Sequence, residues 1–327
     1  MSSLSFLIPL PVMFFGLGLA AGLARSDLAV PESVAKGLSL YLMLAIGLKG
    51  GMALAAPGAS DGLVATLLLG VALSFLLPLP AFGLLRGVAK LDRVTAAAVA
   101  GHYGSVSVVT YAAAAGVLSA AGIPAEGFMP AVLAAMETPA ILTALLLARG
   151  GAKAAQRPGA APMRGKRHLA REVFLNGSVV LLLGSFLIGW IGGEAQRAPL
   201  APFVEGLFQG ALCLFLLEMG LLASRQLRAA PGRLNAPLVA FGLVMPLIGA
   251  VAGLGAGLLA GLSPGGVALM MTLAASASYI AVPAAMRLAL PEADAGVYVT
   301  LSVAITFPFN IVVGIPLYLW VAGLTAG

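Results

Sequence analysis

Gly101-His102-Tyr103-Gly104-Ser105-Val106-Ser107-Val108-Val109-Thr110 and Ala275-Ser276-Ala277-Ser278-Tyr279-Ile280-Ala281-Val282-Pro283 are the stretches on which the fold turns. Each lies inside an apolar run long enough to cross a bilayer, and each carries small or hydroxyl residues where an unbroken helix would carry leucine. Glycine weakens a helix, and Pro283 has no N–H to give and clashes with the preceding turn. Irregular backbone at membrane depth is tolerated only where protein covers it or a wet cavity touches it. A broken helix offers a half-helix N-terminus, whose free N–H groups and positive dipole suit an anion. It also offers unwound carbonyls and hydroxyls, which suit Na⁺. The plainer reading is that glycine and serine only let helices pack closely in lipid. Two such stretches at matching places, with Ser107 and Ser276 separated by 169 residues, favour a shared site.

Outward from these stretches, the whole chain reads as membrane. Charged residues make up 9% of its 327 residues, against roughly 25% in an ordinary globular protein, and apolar residues make up 61%. Mean hydropathy is +1.06. That leaves too little polar surface to cover a water-soluble body. One cysteine, Cys213, excludes an internal disulfide framework. The basic residues sit between apolar segments, which points to topology rather than nucleic acid. About 20 apolar residues span a bilayer, and ten segments qualify: Leu4–Ala24, Glu32–Ala55, Gly62–Leu85, Arg93–Ala120, Gly127–Ala148, Val173–Gly192, Pro202–Ser224, Asn235–Ala260, Gly266–Leu290 and Val297–Leu324. The first has no Lys or Arg before Arg25, so it is expected to be a retained helix and not a cleaved signal.

With the N-terminus outside, sixteen of the 18 Lys and Arg residues fall on the inner side, and only Lys49 and Arg197 fall outside. Both termini are therefore expected outside a bacterial inner membrane. Residues 149–172 form a basic cytoplasmic linker, with seven Lys or Arg and no acid from Arg149 to Arg171. It serves as a topology signal, or as a docking site for a soluble regulator or anionic membrane lipid; the topology reading is preferred.

The two halves, 1–148 and 173–327, echo each other. Tyr41–Leu48 resembles Phe215–Leu221, Ile123-Pro124-Ala125-Glu126 resembles Leu290-Pro291-Glu292, and Thr138-Pro139 matches Phe307-Pro308. Five helices per half make the second repeat enter upside down, the sequence signature of secondary transporters that bind near the midplane. The expected fold is all-α, with ten transmembrane helices as two inverted five-helix repeats and interrupted helices four and nine crossing near the midplane. Glu137 sits within the fifth helix, where an ionisable group costs roughly 2.5–3.5 kcal/mol. It completes a Na⁺ shell, carries a proton, or stays protonated on a neighbouring carbonyl. Asn310 is a weaker ligand candidate, His102 a proton relay or a satisfied helix histidine, and Glu218 and Lys49 gate or rim residues. With no P-loop, HExxH, CxxC or GxSxG motif, the chain is not expected to be an enzyme.

These residues resemble the sodium-dependent bicarbonate transporter (permease) family of cyanobacterial type. The resemblance rests on Val30-Pro31-Glu32-Ser33, Ile46-Gly47-Leu48-Lys49-Gly50-Gly51-Met52, Gly104 to Thr110, Met136-Glu137-Thr138-Pro139-Ala140, and Ala274 to Ser278 with Pro283. It implies a core domain (62–148 with 235–327) moving against a gate domain (1–55 with 173–224), a homotrimer, and bicarbonate and Na⁺ sites where the interrupted helices cross. A PII-like regulator is also implied, against which the short central loop counts. Carried over by motif, Ser107, Thr110, Ser276 and Ser278 match, with Glu137 in place of an Asp. Val108 and Val109 stand where the family has Gly and Ser, Tyr279 where it has Asp, and Ala281 and Val282 where it has Ser and Gly, so oxygen ligands are lost and a phenol is gained.

The expected function is Na⁺-coupled symport of bicarbonate or a similar small anion by an elevator-type mechanism, with Na⁺ as coupling ion and no other cofactor. Gly104, Ser105, Ser107, Thr110, Ser276, Ser278 and Tyr279 are expected around the anion, and Ser107, Thr110, Glu137, Ser276, Ser278 and Asn310 around the cation. The alternatives are a proton-coupled transporter of another small solute, and a passive anion channel or regulator-binding scaffold.

Overall fold

The computed structural model describes residues 10–56, 58, 61–149, 177–229 and 234–326, which are helical almost throughout, with no strand among them. The basic linker beyond Arg149 and the expected starts at Leu4 and Val173 lie outside the described residues. Among the described residues, seven stretches are long and apolar enough to cross a membrane: Glu32–Leu54, Leu63–Gly87, Arg93–Ala120, Met129–Arg149, Ala198–Ala229, Ala236–Leu259 and Ala295–Gly323. Three shorter apolar helices, Leu10–Leu23, Val179–Gly192 and Pro264–Ala275, fall within the other expected segments.

In chain order, α1 is Leu10–Leu23, α2 Glu32–Leu54, α3 Leu63–Leu76, α4 Pro78–Gly87, α5 Arg93–Gly104, α6 Val108–Ala120, α7 Met129–Met136 and α8 Pro139–Arg149. Then come α9, Gly177–Gly192, short turns over Arg197–Ala201 and Pro202–Gly206, and α10, Phe208–Ala229. The last group is α11, Ala236–Leu259, α12, Pro264–Ala275, α13, Ala281–Ala289, α14, Ala295–Thr300, and α15, Ile315–Gly323.

Starts follow local chemistry. The Asp92 carboxylate accepts from Val94 N at 3.0 Å and Thr95 N at 2.9 Å at the head of α5. Asn235 Oδ1 accepts from Leu238 N at 3.0 Å at the head of α11. Both satisfy N–H groups that a helix start leaves without partners. Proline explains two of the places where expected spans are not continuous helix. The fifth opens at Glu137-Thr138, immediately before Pro139. The tenth leaves α14 through wide turns, Leu301–Thr306 and Asn310–Gly314, on either side of Phe307-Pro308-Phe309. A ring nitrogen cannot close the usual hydrogen bond, so the backbone reroutes around it.

Two helix pairs are sealed by glycine. Gly18 of α1 lies against the Leu217 carbonyl of α10, and Gly220 of α10 against the Phe15 carbonyl of α1. Gly51 of α2 lies against the Phe186 carbonyl of α9, and Gly189 of α9 against the Leu48 carbonyl of α2. Any Cβ there would strike backbone, so these are close small-residue seams of the kind that hold helices together in lipid. Elsewhere α5 packs on α8, and α12 on α11 and α15. α5, α6 and α12 are buried along nearly their whole length. Leu68, Ile188 and Ile191 on α3 and α9 are exposed. The protein thus places its broken segments centrally and its leucine-rich faces outside.

Candidate functional site

The backbone leaves the helix at both stretches singled out by sequence. α5 ends on extended Ser105 and the chain re-enters at α6 after Ser107. α12 ends on extended Ser276 and the chain re-enters at α13 after Ile280. The breaks are bonded to each other. Ser107 N donates to Ser276 Oγ at 2.9 Å, and Ser276 Oγ donates onward to Leu273 O at 2.9 Å. Ser278 N donates to His102 O at 2.9 Å. His102 Nδ1 lies 2.5 Å from Ser278 O, so that nitrogen carries the proton and donates. The imidazole stacks on Tyr298 at 4.7 Å, and its buried Nε2 has no partner among the described residues.

The fifth-helix break closes in beside them. The helix opens before Pro139, and hydroxyls from distant segments take its carbonyls: Ser74 Oγ donates to Met136 O at 2.7 Å, and Ser105 Oγ donates to Glu137 O at 2.9 Å. Ser74 also accepts from Ala140 N at 3.2 Å. The Glu137 side chain is 4% exposed, and its Oε2 is buried without a hydrogen-bond partner among the described residues. The buried Tyr279 hydroxyl likewise has none.

Glu137 and Tyr279 line one small cavity with Val106, Ser107, Ser278 and Ile280. Its volume is about 10 Å³, room for one water or one small ion. Tyr279 is held edge-on against Phe307 at 5.5 Å between centroids. The site therefore offers hydroxyls, backbone carbonyls and one carboxylate oxygen, a donor set that suits a hard monovalent cation. It also offers the start of α13, where no side chain caps the first N–H groups. Among the described residues there is no cluster of His, Cys, Asp and Glu that would hold a metal ion.

The sequence candidates divide by geometry. Ser107, Glu137, Ser278 and Tyr279 line the cavity, and Ser276 ties the breaks together. Thr110 is buried, and its N–H donates to Ser107 Oγ at 3.2 Å. Gly104 lies against Pro78 and Ala140, where a Cβ would collide, so it sets helix spacing. Asn310 is fully buried: its Nδ2 donates to Ala275 O at 2.9 Å and its Oδ1 accepts from the Tyr318 hydroxyl at 2.8 Å. It caps the broken end of α12 and does not line the cavity. Glu218 pairs with Arg225 at 2.5 Å, and Lys49 meets Ser119.

A family model described as the Na⁺-dependent bicarbonate transporter superfamily matches residues 10–323, and so includes both breaks and Glu137. The chain belongs to that superfamily. No curated protein matches it. For a member of this superfamily, the sequence reading missed Ser74 and the Tyr103–Thr306 link. Tyr103 OH donates to Thr306 Oγ1 at 2.6 Å, which donates to Gly242 O at 2.8 Å. A hydroxyl in an apolar run, as Ser74 is in α3, was the available signal.

Proposed function

We propose that the protein is a Na⁺-coupled symporter of bicarbonate or a similar small monovalent anion. The observation that carries this reading is the pair of breaks bonded to each other around a cavity of ion size, with Glu137 Oε2 and the Tyr279 hydroxyl unsatisfied at its wall. Buried polar groups are as a rule paired, so two without protein partners at the wall of one cavity mark a place for a guest. Na⁺ takes Glu137, Ser107 and Ser278, with Ser105, Thr110, Ser276 and Asn310 holding the surrounding backbone. The anion takes the uncapped start of α13 beside Tyr279, with Gly104 keeping the helices close. An anion entering against 100 mV, inside negative, faces about 2.3 kcal/mol, which one co-transported Na⁺ cancels.

In this reading the ten spans form two inverted repeats. The packing supports it: α1 on α10 and α2 on α9 are counterparts under that exchange, as are α5 on α8 and α12 on α15. The glycine-sealed pairs make the gate (1–55 with 173–224). The core (62–148 with 235–327) is knit by the Ser74, Thr306, Asn310 and Glu126 hydrogen bonds, and core slides against gate as an elevator. Both termini lie outside the bacterial inner membrane, residues 149–172 inside, and the protein works as a homotrimer. Trp190 and Trp320, both exposed, then sit toward the outer interface, where tryptophan is enriched.

The test is uptake of labelled bicarbonate by proteoliposomes with and without an inward Na⁺ gradient. Saturable uptake that requires Na⁺ is expected; uptake indifferent to Na⁺ would reject the coupling. The unpartnered Glu137 oxygen also favours a second reading, proton coupling, which uptake driven by a pH gradient alone and abolished by Glu137→Gln would select.

A further inference from the structure

Two cavities away from the helix breaks meet at one lysine. The larger, about 470 Å³, lies between α2 and α6 and reaches from Gly122 and Glu126 to Tyr111 and Leu269. The smaller, about 70 Å³, adds Glu205 and Gln209 from the approach to α10. Ile46, Lys49, Ala115 and Ser119 line both. Among the described residues Lys49 is the one Lys or Arg in either lining, and it donates to Ser119 Oγ at 3.4 Å, which leaves the serine proton available to donate onward.

The acids nearby are otherwise engaged. Glu126 Oε1 accepts from Ser263 N at 2.6 Å, and its Oε2, buried with no hydrogen-bond partner among the described residues, lies against Gly266, so the carboxylate is turned to the positive start of α12 and away from Lys49. Glu205 has contacts of its own. Among the described residues no carboxylate forms an ion pair with Lys49. A lysine that only fixes topology would send its ammonium to lipid headgroups; this one, though exposed, lines both cavities and bonds Ser119 across them. The inner end of the larger cavity at Tyr111 is one residue from Thr110, whose N–H binds Ser107 in the first break.

We propose that Lys49 and Ser119 form an outer anion station, which gathers small monovalent oxyanions ahead of the site at the helix breaks. One ammonium and one hydroxyl among apolar Ile46, Ala115 and Leu118 attract such an anion without trapping it, as a transit site must. A multiply charged phosphate would demand more cations. The direction of travel rests on the transport reading above; the local charge chemistry does not.

The experiment therefore reads charge first. In a Cys213→Ser background, Ser119→Cys is labelled with anionic sulfonatoethyl and cationic trimethylammonioethyl methanethiosulfonates. The ratio of anionic to cationic rates cancels any change in thiol reactivity. It is expected to fall about tenfold on adding Lys49→Gln, the low end of electrostatic focusing, and to be restored by Lys49→Arg. With Lys49 in place, high salt should erase the anionic preference. A ratio indifferent to Lys49→Gln overturns the station; should that variant not fold, a salt-insensitive ratio with Lys49 present does so.

In labelled bicarbonate uptake, Lys49→Gln alone should raise KM several-fold with kcat within about twofold, since focusing acts on encounter. An unchanged KM overturns the station's part in transport. No uptake by the wild-type chain, with the labelling ratio as expected, would remove the transport reading and leave the station standing.

Discussion

Between α5 and α6 the chain leaves the helix for three residues, Ser105–Ser107, and Ser107 then caps the helix that follows by accepting from Thr110 N. Between α12 and α13 it leaves for five residues, Ser276–Ile280, and no side chain caps α13. The serines that occupy matching places, 107 and 276, therefore play different parts. Ser107 serves its own helix. Ser276 reaches across to the Ser107 N–H. One break is closed on itself and steadied by its partner, and the other keeps its first N–H groups open beside the cavity. In a site for two ions of opposite sign, that inequality separates the roles: carboxylate and hydroxyl oxygens for the cation, open N–H groups for the anion.

Substitutions at each break can pull these roles apart. The largest effect is expected from Glu137→Ala, which removes the one carboxylate at the cavity and should cut Na⁺-driven uptake at least tenfold while leaving the purified protein folded. Near-normal uptake would move the cation elsewhere. Next comes the unequal cost of the two serines. Ser276→Ala strands a buried N–H and should lower stability by about 1–3 kcal/mol, whereas Ser107→Ala loses a cap worth about 1 kcal/mol. Thermal unfolding in detergent measures both, and equal or reversed losses would contradict the assigned parts.

A cap can also be supplied. Ile280→Ser places a good N-cap residue before α13, which should raise stability by up to about 1 kcal/mol and weaken anion affinity several-fold by taking the Val282 N–H, Pro283 having none. A gain in both would show that the anion sits elsewhere. The smallest effect is expected from Tyr279→Phe, which removes the unpartnered hydroxyl but keeps the contact with Phe307. It should shift KM for the anion by about twofold with little change in stability, measured in the same uptake assay.

Much of this asymmetry was hidden in the sequence, for physical reasons. The breaks themselves were legible because glycine, serine and proline clustered inside a membrane run weaken the helix just where lipid forbids bare backbone. Their approach to each other was legible from the shared spacing of Ser107 and Ser276. The division of labour was not, since it depends on which hydroxyl faces which backbone group across two distant segments. Asn310 illustrates this: its amide type suits an ion ligand, yet the neighbouring Ala275 carbonyl and Tyr318 hydroxyl take it up. Pro139 was plain to see, but the opening of the helix at Glu137 depends on Ser74 and Ser105 arriving from distant segments to donate to the freed carbonyls. The glycines of α1, α2, α9 and α10 looked like generic membrane composition until their partners were known.

Whether cation and anion occupy one shared site at the paired breaks can be decided by equilibrium binding of ²²Na⁺ to the purified protein with and without bicarbonate. Coupling between sites is reciprocal, so bicarbonate is expected to tighten Na⁺ binding and Na⁺ to tighten bicarbonate binding by the same factor, with both effects lost in Glu137→Ala. Na⁺ binding of unchanged affinity at saturating bicarbonate would contradict the shared site.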